Sequence, residues 1–207
     1  MTETAALALE VVSAPFTRRL LTILAADVVG YARLTEVAEE DTHQRLRSLR
    51  VGIIDPCVVS YRGRIVKNTG DGFLASFDSS IDAVRCAVEL QNEIATSERS
   101  EAPDRKITFR MGVNVGATIV EAEDIYGLGV NVAARLEQCA PAGGIIVSAE
   151  VLDHVKHTLE IPIDDLGALR LKNMSRPVHA FSLRIPGASR AAVATKRPRP
   201  TRRAKVP

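Results

Sequence analysis

The stretch Leu20-Leu-Thr-Ile-Leu-Ala-Ala26 is a short and almost continuous apolar run that ends at the carboxylate of Asp27. A run of this length and composition is typical of a buried central strand. Downstream, apolar residues recur at helical spacing from about Glu39 to Ser60, which predicts a helix. Two strand-like segments, 64–67 and 73–77, flank a glycine-rich turn and predict a hairpin. This part of the chain therefore predicts the order strand, helix, strand, strand.

The following part of the chain shows the same two periodicities. Ser79 and Asp82 form a capping-box-like start, and an apolar stripe continues to Ile94, which predicts a second helix. Alternation over 107–115 predicts a long strand. Further elements are expected in this order: a helix from near Gly129, a strand over 145–147, a short helix over 149–156 and a terminal hairpin over 166–183.

The order βαββαβ, followed by additional C-terminal strands, is that of a ferredoxin-like α+β sandwich. We expect one face of its sheet to be covered by helices and the other face to be free to meet a partner.

Length and charge bound the organisation of the chain. It has 207 residues, of which 46% are hydrophobic, enough for one domain with a sizeable core. We expect an N-terminal extension over 1–17, a folded domain over 18–186 and a basic tail over 187–207. The tail carries seven positive charges and no acid, so the formal charge of +2 leaves −5 on residues 1–186. Such an acidic body makes a general nucleic-acid-binding surface unexpected.

The tail over 187–207 is rich in Ala, Arg, Lys and Pro and has no apolar periodicity. Such a segment buries too little surface to offset the entropy of ordering, so we expect it to be disordered and solvated. The alternative is a weak contact with anionic lipid or polyphosphate surfaces.

Cysteine and histidine usage indicates the compartment and gives no support for zinc chemistry. Cys57, Cys86 and Cys139 form an odd set without paired spacing and fit apolar helical positions in a reducing environment. The N-terminal residues lack a basic leader, and no run of about eighteen apolar residues occurs. We therefore expect a cytoplasmic protein. The four histidines show no spacing typical of a zinc site.

Two isolated carboxylates stand where strand-like segments stop. Asp27 follows the apolar run, and Asp71 lies in a Gly-Asp-Gly turn. Acids in such places need cations or several donors to stay ionised. Mg²⁺ binds one or two carboxylates together with phosphate oxygens, so a pair of hard divalent ions, Mg²⁺ or Mn²⁺, fits these residues. The alternative for Asp71 is a simple turn residue.

A second polar set lies in the stretch Asp124-Ile-Tyr-Gly-Leu-Gly-Val-Asn131-Val-Ala-Ala-Arg135, where a glycine-broken turn precedes a helix. Asn131 and Arg135 are four residues apart and so face the same side of that helix. A guanidinium fork suits phosphoryl oxygens on which charge builds up, and an amide suits a sugar hydroxyl. The alternative for both residues is an exposed helix face.

Lys67 and Asp124 together match the pairing edge of adenine. That edge offers an amino donor and a ring-nitrogen acceptor, whereas guanine would require the reverse pattern. The alternative for Lys67 is a solvated charge on the hairpin.

Together these residues resemble the catalytic domain of class III nucleotidyl cyclases of the bacterial adenylate cyclase type, over about residues 19–185. The resemblance implies the following roles: binding of two divalent metal ions by Asp27 and Asp71, adenine selection by Lys67 and Asp124, and stabilisation of ribose and transition state by Asn131 and Arg135. Lys172 is the candidate ligand of the terminal phosphates, and its alternative is a surface lysine.

The resemblance also implies conversion of ATP to 3′,5′-cyclic AMP and pyrophosphate by a two-metal intramolecular phosphoryl transfer. In that family the active sites form across a head-to-tail dimer, which implies a homodimer with composite sites.

Three alternatives stay open. A guanylate cyclase is disfavoured by Lys67 and Asp124. A diguanylate cyclase or nucleotidyltransferase would share the metal acids, but the sequence has no Gly-Gly-Asp/Glu-Glu-Phe-type segment. A catalytically silent cyclase-fold domain, used for dimerisation or sensing, would show no metal-dependent release of pyrophosphate.

Overall fold

A computed structural model of the protein describes residues 17–121 and 124–186. Its strands are β1 (Thr17–Val28), β2 (Arg64–Asn68), β3 (Phe73–Phe77), β4 (Phe109–Val120), β5 (Ile125–Tyr126), β6 (Ile145–Ser148), β7 (Ile163–Leu169) and β8 (Val178–Leu183). Its helices are α1 (Tyr31–Leu49), α2 (Asp55–Ser60), α3 (Ser80–Ser97), α4 (Leu128–Cys139) and α5 (Ala149–Val155). A π-helical turn, Arg50–Ile54, joins α1 to α2.

The strands form one sheet in the order β2-β3-β1-β4-β6-β8-β7, and β5 pairs with β4. β1 is antiparallel to both of its neighbours, β3 and β4, whereas β4 runs parallel to β6. The predicted apolar run lies in β1, where Ile23 and Leu24 are fully buried. Because α1 and α2 connect β1 to β2, and α3 connects β3 to β4, the predicted ferredoxin-like α+β fold with additional C-terminal strands is confirmed.

One face of the sheet is covered by helices α1, α2, α3 and α5. Their apolar residues form a single core with the β1 residues that point to this face, among them Leu24 and Val28. Ser79 caps α3 by accepting a hydrogen bond from the backbone N–H of Asp82 at 3.2 Å, which is the predicted helix start.

The other face is not free, so the prediction of an uncovered face is wrong. α4 lies across it and buries Ala133 against Leu21 and Ile23 of β1. Gly112 of β4 permits this approach, because a Cβ there would overlap the backbone of Ala133 and Glu137. The sequence pattern did not indicate this packing, since it depends on a backbone contact between two elements distant in the chain.

Element boundaries differ from the prediction at the first helix. α1 begins at Tyr31 rather than near Glu39, directly after Gly30, whose φ of 69° is left-handed. Ala38 interrupts the helical geometry, with φ −158° and ψ 81°. The helical periodicity seen in the sequence therefore begins only after this break.

The two predicted terminal segments, 1–17 and 187–207, lie outside the described residues, except that Thr17 opens β1. No helix within 17–121 or 124–186 combines the length and apolarity that a membrane crossing requires.

The contact of α4 with β4 generates a stability prediction. We expect Gly112→Ala to lower the free energy of unfolding by about 3 kcal/mol, because a methyl group that overlaps backbone cannot be accommodated by side-chain rotation. Gly52→Ala is the matched control, since nothing lies within 4 Å of its Cβ position, and alanine in a helical turn is neutral or slightly stabilising. Urea unfolding followed by circular dichroism measures both variants. Equal stabilities would contradict the close packing of α4.

Candidate active site

The end of β1 and the turn between β2 and β3 bring Asp27 and Asp71 together. Ala26 of β1 pairs with Phe73 of β3. Gly72 lies so close to the Ala26 carbonyl that a Cβ would overlap it. The Asp71 side chain is half-buried at this point and senses the charge of Asp27. Its burial, followed by the charge of Asp27, raises the pKa of Asp71.

Arg50 holds the turn that carries Asp71. Its Nη2 donates to the carbonyl oxygens of Gly70, at 2.5 Å, and Gly72, at 3.2 Å. Gly70 has a left-handed φ of 84°, which favours glycine. Arg50 opens the π-helical turn, a structure found frequently at functional sites. The turn is therefore held by the α1–α2 arm on one side and by β1 on the other.

Arg110 of β4 lies opposite Asp27 and connects it to Glu137 of α4. Its Nη2 donates to Oδ2 of Asp27 at 2.6 Å, and its Nε lies 2.6 Å from Oε1 of Glu137. The Glu137 side chain is only 9% exposed. Burial raises the pKa of Glu137 to about 7, with Arg110 opposing the shift and Asp27 adding to it. One guanidinium therefore stands among three carboxyl groups, those of Asp27, Asp71 and Glu137.

The side-by-side carboxyl groups of Asp27 and Asp71 fit hard divalent cations. The repulsion between them contributes to the raised pKa of Asp71, and a divalent cation would remove it. In the part of the chain that the structure describes, no group of three or more His, Cys, Asp or Glu side chains has the arrangement of a metal cage. A pair of carboxylates suits such an ion, because Mg²⁺ completes its shell with water and phosphate oxygens.

The predicted base-reading pair is formed within one chain. Lys67 Nζ donates to Oδ2 of Asp124 at 2.7 Å, and it lies 5.8 Å from the centroid of the Tyr126 ring. The backbone N–H of Ile125 donates to the other oxygen of Asp124 at 2.8 Å. The hydrogen bond from Lys67 lowers the pKa of Asp124, so this acid is present as the carboxylate at neutral pH.

The predicted transition-state residues lie on the outer side of α4. Asn131 is exposed and Arg135 is half-buried, and Nη1 of Arg135 donates to Oε1 of Gln138 at 2.8 Å. Among the described residues, no hydrogen bond or ion pair joins Asn131 or Arg135 to Asp27 or Asp71. One chain thus brings Asp27 close to Asp71 and, separately, Lys67 close to Asp124. It does not bring Asn131 or Arg135 into contact with the two acids.

Lys172 is exposed in the segment between β7 and β8. It directly precedes Asn173, which lies on the wall of a cleft between α4 and this segment. The cleft has a volume of about 670 Å³, and its walls include Gly116, Leu128, Gly129, Val132, Asn173 and Arg176.

Four residues near these groups were not predicted from the sequence: Arg50, Arg110, Glu137 and Tyr126. Arg110 occupies a position in β4 that the alternating pattern assigns to the polar side of the strand. Glu137 lies four residues after Ala133 on α4, so helical spacing places both on the side that faces β4. That spacing was the available signal for Glu137, but it does not identify the strand residue that the acid meets.

Comparison with known proteins identifies the family. Residues 17–184 match the adenylate and guanylate cyclase catalytic domain. The chain therefore belongs to this family, which confirms the predicted resemblance.

Individual relatives agree with this assignment. The chain is 44% identical over 165 residues to the Rhizobium meliloti protein named "Putative adenylate cyclase 3", covering 80% of this chain and 28% of that protein. It is similar to the crystal structure of an adenylate/guanylate cyclase/hydrolase from Silicibacter pomeroyi, with 41% identity and a TM-score of 0.77 over 81% of this chain and 98% of that one. For the adenylyl cyclase CyaB from P. aeruginosa, the identity is 25% and the TM-score 0.72, over 82% and 95% of the two chains.

The chain spans less than a third of the length of the Rhizobium meliloti relative. The match to the Silicibacter pomeroyi structure, in contrast, covers 98% of that chain.

The buried Glu137 generates a prediction about stability and pH. Its pKa is 4.5 for an unperturbed side chain and about 7 in the fold. The neutral form of Glu137 therefore makes its full contribution to the free energy of unfolding below pH 4.5. This contribution, up to about 3 kcal/mol, is lost as the pH rises through 7. Relative to Glu137→Gln, which lacks this titration, the wild-type protein is expected to lose unfolding free energy between pH 5 and 8. Urea unfolding at four pH values measures the difference, and parallel curves would contradict the raised pKa.

Proposed function

We propose that this domain is an adenylate cyclase that converts ATP to 3′,5′-cyclic AMP and pyrophosphate. The observation that carries the choice of purine is the Lys67–Asp124 pair, whose Nζ and Oδ2 atoms lie 2.7 Å apart. An ammonium and a carboxylate held side by side can meet the ring-nitrogen acceptor and the amino donor of adenine together. Family membership and the adenylate cyclase names of two relatives, from Rhizobium meliloti and Streptomyces coelicolor, support the reaction class.

Asp27 and Asp71 would hold two divalent ions, Mg²⁺ or Mn²⁺. When bound, such ions lower the pKa of the ribose 3′-hydroxyl and neutralise the charge of the triphosphate. The protein holds the two acids in position: Arg50 fixes the turn of Asp71, and Arg110 contacts Asp27. The bond that forms joins the 3′-oxygen to the α-phosphorus, and the bond that breaks releases pyrophosphate.

The remaining predicted residues would bind other parts of ATP. Asn131 orients the ribose, Arg135 stabilises charge on the α-phosphoryl group, and Lys172 contacts the terminal phosphates. A single transition-state donor of this kind contributes about 3 kcal/mol.

We also propose that the active unit is a head-to-tail homodimer. Asn131 and Arg135 lie on the outer side of α4, without a described contact to Asp27 or Asp71. A second chain could supply these two residues to the acids of the first, which gives two equivalent composite sites. A cytoplasmic location stays a prediction.

The reaction itself is tested with purified protein, Mn²⁺ and either ATP or GTP. We expect cyclic AMP from ATP, with GTP a poor substrate. Asp71→Asn is expected to lower turnover by at least about a hundredfold, because it removes a carboxylate from the ion-binding pair. Asp78→Asn is the matched control, since this exposed acid pairs with Arg19 away from the site.

Three outcomes would contradict the proposal. Preferred use of GTP would indicate a guanylate cyclase. No cyclic product from either nucleotide would favour a catalytically silent domain. Full activity of Asp71→Asn would remove the metal-binding role of that residue.

Complementation tests the composite sites. Asp27→Ala and Arg135→Ala chains are expected to be inactive alone, and their mixture should recover about half of the wild-type activity per heterodimer, because one of its two sites keeps both residues. Cyclic AMP production is measured after heterodimers are isolated with two different affinity tags. Verified heterodimers without activity would contradict the head-to-tail arrangement.

A further inference from the structure

Unsatisfied buried polar atoms are concentrated at one place in the described residues. Three buried side-chain atoms have no hydrogen-bond partner: Nε of Arg50, Nε of Arg110 and Oε1 of Glu137. All three belong to side chains around Asp27 and Asp71. Such atoms are uncommon in folded proteins and call for a physical reason, of which a functional rearrangement is one.

Two of these atoms, Nε of Arg110 and Oε1 of Glu137, face each other. Nε of Arg110 lies 2.6 Å from Oε1 of Glu137, so the two groups form an ion pair, but the N–H is not aligned as a hydrogen bond. The aligned bond from Arg110 goes instead to Oδ2 of Asp27 at 2.6 Å. Arg110 is thus oriented towards Asp27, and the carboxylate of Glu137 lies beside the same guanidinium.

Glu137 cannot serve as a substitute ligand in the place of Asp27. It lies on the sheet side of α4, and that part of the helix is in backbone contact with β4 at Gly112. Its side chain is 9% exposed, against 24% for Asp27. Glu137 is therefore placed behind Arg110, and Asp27 is the more accessible of the two acids.

We propose that Arg110 and Glu137 form a positioning pair for Asp27, in which Glu137 attracts Arg110 and so leaves Oδ2 of Asp27 accessible to a divalent cation. This inference rests on the proposed metal-binding role of Asp27. A divalent cation and Arg110 compete for the same carboxylate oxygen. The Arg110 side chain is about two-thirds buried, with 31% of its surface exposed, so a guanidinium that gives up Asp27 is stabilised when another acid pairs with it. Glu137 is that acid, because its Oε1 already lies 2.6 Å from Nε of Arg110.

The proposal predicts opposite effects of the two partners on metal affinity. In Glu137→Gln, Arg110 keeps only Asp27 as a charged partner, so the Kd for Mn²⁺ should rise about tenfold, the scale of changes behind metal ligands. In Arg110→Gln, the competitor is absent, so the Kd should fall. In the double variant, the effect of Glu137→Gln should disappear, because Glu137 acts through Arg110.

Binding of Mn²⁺ alone, measured at pH 8 from the loss of the free-ion EPR signal, provides a readout independent of turnover. Circular dichroism and size-exclusion chromatography establish that each variant is folded. Glu98→Gln is the matched control, because Glu98 is also buried and paired with an arginine, Arg45, but on the other side of the sheet. It should lower stability without changing the Kd for Mn²⁺.

Equal weakening of Mn²⁺ binding by Glu137→Gln and Arg110→Gln would overturn the proposal, as would a Glu137→Gln effect that persists without Arg110. Asp27→Asn separates this failure from failure of the proposed function. If Asp27→Asn binds Mn²⁺ like the wild-type protein, Asp27 is not a metal ligand, and both its proposed metal-binding role and the positioning pair fail. If Asp27→Asn loses Mn²⁺ binding, but Glu137→Gln and Arg110→Gln change the Kd in the same direction, only the positioning pair fails.

Discussion

The antiparallel pairing of β1 with β4 is the constraint on which the rest of the structure depends. It runs over twelve residue pairs, from Thr17 with Val120 to Val28 with Phe109. Because side chains alternate along both strands, this register assigns one set of residues to the core under α1 to α3 and the other set to the face under α4. It also places Asp27 directly opposite Arg110. A shift of one residue would remove both the core and the charge pair.

Acidic groups outnumber basic groups at the end of β1 that carries Asp27. Asp27, Asp71 and Glu137 are three carboxyl groups around the guanidinium of Arg110, and the pKa values of Asp71 and Glu137 are raised. A site of this kind is suited to receive positive charge, because additional cations relieve repulsion that the fold maintains. Arg50 contributes by holding the Asp71 turn through backbone carbonyls rather than by pairing with the acid. The raised pKa values of Asp71 and Glu137 and the contacts of Arg110 with Asp27 and Glu137 explain how the fold tolerates three neighbouring carboxyl groups.

The positions of the remaining groups are consistent with a site completed by a second chain. Lys67 and Asp124, the proposed base-reading pair, belong to two hairpins of one chain. Asn131 and Arg135 lie on the outer side of α4, whose inner side packs against the sheet. That commitment is visible at Gly112, where α4 touches the backbone of β4. Because the inner side is fixed, the outer residues can be presented to a partner in a defined orientation.

The sequence alone determined the βαββαβ order, the buried central strand and the cyclase resemblance, because periodicity and short motifs are local properties. It also indicated Asp27, Asp71, Lys67 and Asp124 as residues of interest, of which the last two proved to be in contact. Only the tertiary structure decided that α4 covers the second sheet face and that Arg50, Arg110 and Glu137 surround the acids. These contacts join residues far apart in the chain. They follow from strand register and helix approach, which a local pattern does not specify.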